Sequence, residues 1–305
     1  MMKIGRPVAM LARVVMVGLM TIDVMADEDF YDYWGDGRAE LSSYRVTQPR
    51  YGETREGHSV MIFVTEEINR QSLIKVESNQ PQQERVYTLK LNKTLKFLTG
   101  IYPYSVMTSV FSAVEGGPSE PGSPFEARKV TLSAQEWCGH VFEEVQLRDD
   151  AIFGDLNSYF EREGKQGWRF DRPDRFVSED HLPIEIRELK GLFMASGETR
   201  TVQMLPELWQ FRMRHKPRAL VKATIRKGAP ESIDLDGTTY SAIPWTWNYL
   251  NREVTMWVDA AYPRRILQWR DNDGGEGQLL ASMRLPYWQL NDLGHESYRQ
   301  QLKLP

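Results

Sequence analysis

The chain has one cysteine, Cys138, in 305 residues. No internal disulfide can form, so the fold must stand on packing alone. There is also no run of about 20 apolar residues such as a bilayer-spanning helix needs. No basic block stands out, since 38 Lys and Arg are interspersed with 42 Asp and Glu. Nucleic acid, which demands a concentrated basic surface, is therefore not an expected partner. GxSxG, GxGxxG, Walker-type and HExxH motifs are absent, as are CxxC and HxxxH spacings. The common hydrolase, nucleotide-binding and metal-binding classes receive no support, and no cofactor is expected.

What is present begins at the N-terminus. Lys3, Arg6 and Arg13 give a positive start with no acid before Asp23. Residues 14–22 (VVMVGLMTI) are apolar, and Val24-Met25-Ala26 places small residues at −3 and −1 of a cut before Asp27. This order is that of a cleavable secretory signal peptide over residues 1–26. Arg13 and Asp23 enclose too short a run for an anchor. Export is expected, to the periplasm in the first instance, with no transmembrane segment in the mature chain. Loss of three basic groups and one acid leaves 35 Lys and Arg against 41 Asp and Glu, a net charge of −6 on 279 residues. That length suits a single β-rich domain over 27–305, or two β-rich halves meeting near 161–180.

The remainder reads as short strand segments between turn residues. Residues 59–65 (SVMIFVT) form a nearly continuous apolar, β-branched run, expected as a strand buried on both faces. Residues 38–47, 85–91, 104–113, 127–134, 136–147 and 158–161 are further strand candidates, whereas 161–175 is charged and turn-rich. Residues 115–124 are so rich in Pro, Gly and Ser that they read as an exposed loop. Residues 182–189, preceded by Ser178-Glu179-Asp180 and stopped by Gly191, predict a short helix. Further on, Ile243, Trp245, Trp247 and Tyr249 share one parity of a strand, followed by strands over 253–259, 264–270 and 277–285. The last carries Leu279, Ala281, Met283 and Leu285 on one side. The fold class is mainly β: antiparallel curved sheets forming an open half-barrel or sandwich, with few short helices.

Two groups of residues invite a chemical reading. If Glu136, Cys138 and His140 lie on one strand they face the same way, and could form a thiolate activated by an oriented imidazole, or part of a zinc site. A small buried cysteine beside a hydrogen-bonded histidine fits the same residues. Aromatic residues crowd the C-terminal third, with Trp245, Trp247, Tyr249, Trp257 and Trp269 foremost. They can fill the core of a curved sheet or line a concavity for an apolar ligand. Asp271-Asn-Asp-Gly-Gly275 and Asp234-Leu-Asp-Gly237 begin like calcium loops but lack the later acidic ligands, so both read as turns. Arg169, Arg172 and Arg175 alternate with acids in a solvated loop.

Trp34–Glu40 (WGDGRAE), Gln48–Glu53 (QPRYGE), Val60–Glu66, Leu89–Asn92, Thr99–Ser105 (TGIYPYS), Gln135–His140 (QEWCGH) and Ser158–Glu163 together resemble a family of exported bacterial proteins whose members are often labelled septum formation inhibitor Maf. The resemblance covers most of residues 30–165, and that family has no established activity, so it implies export without assigning a catalytic residue. Val254–Asp259 (VTMWVD) and Tyr262–Ile266 (YPRRI) are weakly similar to half-barrel envelope proteins of the LolA/LolB lipoprotein-carrier type. That similarity implies an open curved sheet with a hydrophobic inner face. Together these readings predict an envelope protein that binds an apolar small molecule, lipid or lipoprotein. A Cys/His-dependent hydrolase or metal enzyme and a structural or interaction protein are the alternatives.

Overall fold

The computed structural model describes residues 30–115 and 124–305. The signal peptide expected over 1–26 and the central part of the Pro/Gly/Ser-rich segment, 116–123, lie outside the described residues. Eight strands form an up-and-down meander: β1 (Ala39–Arg50), β2 (Glu53–Asn69), β3 (Arg85–Thr99), β4 (Tyr102–Ala113), β5 (Glu126–Glu136), β6 (Gly139–Leu147), β7 (Ala151–Ser158) and β8 (Lys165–Asp171). The second half supplies β9 (Phe176–Ser178), β10 (Thr199–Leu205), β11 (Val221–Lys227), β12 (Glu231–Leu235), β13 (Thr238–Tyr249), β14 (Arg252–Asp259), β15 (Ile266–Asp271) and β16 (Glu276–Leu285).

All belong to one sheet, because β1 pairs with both β2 and β16. The order runs from β8 down to β1, then through β16, β15, β14, β13, β11 and β10 to β9, with β12 beside β13. Every pairing is antiparallel except β9 with β10. The edges β8 and β9 do not pair, so the sheet stays open, yet they are consecutive in the chain. The connection 172–175 reaches only about 18 Å when extended, which forces the row of strands to curl back on itself. Mainly β, open and curved, with few short helices, is the architecture expected from the sequence.

The concave face is covered by the chain itself. A helical turn, α1 (residues 30–34), closes one part. The segment from β9 through α2 (Leu182–Glu185), β10 and α3 (Leu208–Arg214) fills the rest. Leu182, Ile184, Ile186, Leu205, Leu208 and Phe211 of this inner segment pack with Met61, Phe63, Leu91, Val110, Trp245 and Val254 of the strands in one core. The expected helix over 182–189 shrinks to four residues. It stops early because Glu188 takes a left-handed backbone (φ 46°) and Arg187 turns into the sheet.

Arg187 is wholly buried. It lies 2.9 Å from Glu40 Oε1, donates to the carbonyls of Pro263 and Arg264 at 2.8 and 3.0 Å, and stacks over Phe63 at 4.3 Å. Glu188 is held by Lys227 at 2.6 Å and accepts the Phe193 and Met194 N–H groups. Both ions are thus paired and hydrogen-bonded, the condition under which burial of charge is tolerated.

The outer face is covered locally. Leu302, following α4 (Ser297–Gln301), packs on Ala39, Leu41 and Val64, with Ile62 and Met283 beside them. Leu73, in the loop between β2 and β3, covers Ile68, Val86, Phe111 and Ala113. These covers explain why residues 59–65 are apolar at both parities.

Four expectations are corrected. The strand expected over 136–147 begins at Gly139, because Trp137 and Cys138 form the two-residue tip of the β5–β6 hairpin. Residues 159–161 are a turn, and the strand there is β7. The charged stretch 161–175 contains strand β8, and Arg172, far from being solvated, pairs with Glu126 at 3.1 Å. Finally, the row Leu279, Ala281, Met283, Leu285 does not keep one side. A bulge opposite Ser43 and Tyr44 turns Leu279 into the main core and leaves Met283 and Leu285 with the outer cluster.

Breaking the Glu40–Arg187 pair from one side tests this packing. Arg187→Ala strands a buried carboxylate, and urea unfolding is expected to show a loss of about 3–5 kcal/mol. The double variant Glu40→Leu, Arg187→Met should lose less than the single one.

Candidate ligand cavity

A small cavity lies between the inner segment and the walls made by β1–β4 and β13–β16. It measures about 80 Å³ and is lined by Val46, Leu91, Leu95, Val106, Val254, Met256, Trp209, Trp247 and Trp269 among apolar groups. Its polar lining includes Ser59, Lys93, Glu179, Asp180, Glu207, Gln210, Arg252 and Asp271. A second space of about 300 Å³ adjoins it, bounded by Gln48, Arg50, Tyr51, Gln210, Met213, Arg214, Asp271 and Asp273. Gln48, Gln210 and Asp271 line both, so the interior lies directly behind the rim that carries the β1–β2 turn.

Local sequence places these groups. On β3, Leu89, Leu91, Lys93, Leu95 and Phe97 share the inward parity, so Lys93 is a cation in an apolar row. Arg252 does the same on β14 ahead of Val254, Met256 and Val258. Glu179 and Asp180 come from the turn between β9 and α2, and Glu207 immediately precedes α3.

Glu179 accepts hydrogen bonds from Trp247 Nε1 at 2.9 Å, Tyr249 Oη at 2.6 Å and the Glu207 N–H at 2.9 Å, with Arg252 Nε 3.5 Å away. Asp180 accepts the Leu208 N–H at 2.9 Å. Lys93 donates to Glu207 at 2.7 Å, and Arg252 to Asp271 at 2.9 Å.

The ionisation states follow from these contacts. Burial, reinforced by Glu207, raises Asp180 well above the ordinary aspartate value and favours its neutral form. Burial alone would lower Lys93, but Glu207 outweighs it and the ammonium is stabilised. Burial pushes the Tyr249 phenol up, and Glu179 adds to this.

Four buried polar atoms on the cavity wall have no hydrogen-bond partner: Ser59 Oγ, Trp209 Nε1, Gln210 Oε1 and Arg252 Nε, the last 3.5 Å from Glu179. Unpartnered buried atoms also occur away from the cavity, at Trp34 Nε1, Ser178 Oγ and Trp245 Nε1, but those on its wall are placed where a polar group could meet them.

The aromatic residues singled out from the sequence do not form one surface. Trp245, Trp247 and Tyr249 are buried against the inner segment, and Trp247 and Tyr249 spend their polar atoms on Glu179. Trp269 stands in the cavity wall, 4.9 Å from the Tyr44 ring. Trp257 has the opposite parity on β14 and donates to Glu231 on the outside.

Glu136, Cys138 and His140 are not aligned on one strand face. The exposed Cys138 occupies the hairpin tip, where its N–H donates to Glu136 at 2.5 Å. The same carboxylate raises the thiol pKa, the direction opposite to that of an activated nucleophile. Among the described residues no cluster of His, Cys, Asp and Glu could hold a metal ion.

A second constellation joins Ser112 Oγ to His181 Nε2 at 2.7 Å, with His181 Nδ1 3.5 Å from Glu185. Ser112 is wholly buried between β4 and the inner segment, so no substrate carbonyl reaches its oxygen. The group pins the inner segment to the sheet. Lys93, Glu179, Asp180, Glu207 and Arg252 were missed as site residues in the sequence. Their signal is a charge at a core parity, visible for Lys93 and Arg252 but absent for the acids, which sit in turns.

A scan against protein-family models, a search of curated proteins and a search of solved structures each return no match.

His181 gives this site a pH signature. Burial, with Arg172 adding, lowers its pKa from 6.5 to about 3. The folded imidazole resists protonation that the unfolded chain accepts, so its contribution is present above 6.5 and lost as pH falls towards 3. His181→Gln is expected to flatten the acid-side slope of unfolding free energy against pH.

Proposed function

We propose that the protein is a binding protein of the cell envelope that holds an amphipathic ligand inside its curved sheet. The apolar part of the ligand lies along Val106, Val254, Met256 and Trp269, and its polar end meets Trp209, Gln210, Ser59 and the spare donors of Lys93. The observation that supports this reading is the set of unpartnered buried polar atoms on a wall that combines apolar groups with paired charges. Apolar clefts with a few convergent polar groups are the usual form of a small-molecule site. Apart from Asp180, whose raised pKa favours the neutral form, four carboxylates (Glu179, Glu207, Asp271 and Glu276) face two cations (Lys93 and Arg252), which disfavours a strongly anionic head and suits a neutral, hydrogen-bonding one such as a hydroxyl or amide.

Export rests on the N-terminal sequence, and the envelope setting follows from it. The weak similarity to lipoprotein-carrier half-barrels fits the same reading, although a fold by itself carries no function.

Protein purified without detergent from its native compartment should retain a small-molecule adduct in native mass spectrometry. Leu95→Trp, which fills the cavity, should abolish the adduct and reduce binding of an apolar fluorescent dye. An empty wild-type protein that also fails to bind the dye would contradict the proposal.

A further inference from the structure

The hairpins of the meander turn alternately at two rims. The β1–β2, β3–β4, β5–β6 and β7–β8 turns lie at one rim, and the β13–β14 and β15–β16 turns join them there. The β15–β16 turn is polar, but each of the other five tips carries a large apolar residue in solvent: Tyr51, Ile101, Trp137, Tyr159 and Leu250, with exposures of 59, 82, 69, 73 and 86 %. Leu98, just before the β3–β4 turn, adds a sixth at 57 %. Turn tips favour Gly, Asn, Asp and Ser, so this residue choice runs against local preference and costs solvation.

The aromatic tips are separate at the surface and linked beneath it through the buried Tyr104 and the half-buried Tyr102. The Tyr51 hydroxyl lies 2.8 Å from that of Tyr104, whose ring is 6.0 Å from Tyr102, and Tyr102 is 6.3 Å from Trp137. The space left by Gly139, beside Trp137, is taken by the ring of Tyr159. The cavity lies behind the same rim, since Tyr51 borders the outer space that shares Gln48 and Gln210 with the interior.

We propose that this rim docks onto a lipid bilayer surface, inserting its hairpin tips at headgroup level. Adjacent tips stand about 10 Å apart, two strand spacings, with polar turn residues between them. A second protein or a second copy of this chain would need a contiguous patch of roughly 800 Å² with an apolar centre. Separate protruding tips do not make one. Tyr and Trp on such protrusions match the interfacial zone of a bilayer, where an apolar ring and a polar edge are both accommodated. Charges near the tips have both signs, with Lys96, Arg162 and Lys165 set against Glu136, Glu161 and Glu253. Attraction is therefore carried by apolar burial rather than by anionic lipid, and persists in salt.

Cys138 provides the probe, being the sole cysteine, exposed, and next to Trp137. An environment-sensitive fluorophore attached there should shift to the blue and brighten on addition of phosphatidylcholine vesicles, and unlabelled protein should float with them at about 0.5 M salt. The variant Ile101→Asp with Trp137→Ala should partition at least about tenfold more weakly. Leu95→Trp should dock unchanged, which separates docking from ligand binding. Three results would overturn the proposal. The first is no flotation and no spectral change. The second is binding that needs phosphatidylglycerol and vanishes in salt. The third is a concentration-dependent dimer that the rim variant abolishes.

Discussion

The constraint on which the rest of this structure depends is the seating of the inner segment on the concave face of the sheet. A curled row of strands presents Met61, Phe63, Leu91, Val110, Trp245 and Val254 on one side. Left in water, that face would expose more apolar surface than a monomer sustains. Residues 176–215 cover it, and the cover is held by directed contacts as well as by packing. Arg187 reaches Glu40 on β1, Glu188 reaches Lys227 on β11, Glu179 collects Trp247, Tyr249 and Arg252, and His181 meets Ser112 on β4. These contacts reach both halves of the sheet, so one short segment ties together strands distant in sequence.

This arrangement sets the chemistry of the interior. Ions buried to seat a segment must be paired, and here almost every carboxylate has a cation or several N–H donors. Some buried polar atoms stay without a hydrogen-bond partner, at Trp34 Nε1, Ser178 Oγ and Trp245 Nε1 among other places, and Ser59 Oγ, Trp209 Nε1 and Gln210 Oε1 are the neutral ones on the cavity wall. The inner segment thus leaves a small polar-ended gap rather than a sealed core. That gap faces the rim with the apolar tips, so interior and surface share one axis.

Much of the architecture is legible in the sequence because it rests on local pattern. The alternation of Ile243, Trp245, Trp247 and Tyr249 fixes β13, and Asp271–Gly275 forms the turn its composition predicts. The failures have physical reasons. β8 is an edge strand whose residues are mostly exposed, so it lacks an apolar parity. In β7, Gly154 interrupts the pattern because the Trp168 ring lies where its side chain would be. Trp137-Cys138 is a turn made of residues that do not favour turns, so it reads as strand. The candidate site was harder still: Lys93 and Glu207 are 114 residues apart, and pairing at that distance leaves no local trace. Only the cations on apolar parities, Lys93 and Arg252, announced a polar interior.

Hydrogen exchange monitored by mass spectrometry tests the seating of the inner segment most directly. If that segment is integral to the fold, amides of residues 179–187 and 205–211 should exchange as slowly as those of β1–β4, and lose protection with them in a single cooperative step as urea is added. Rapid exchange of 179–211 while β1–β4 and β13–β16 remain protected would contradict the account. It would show a sheet that stands without its cover.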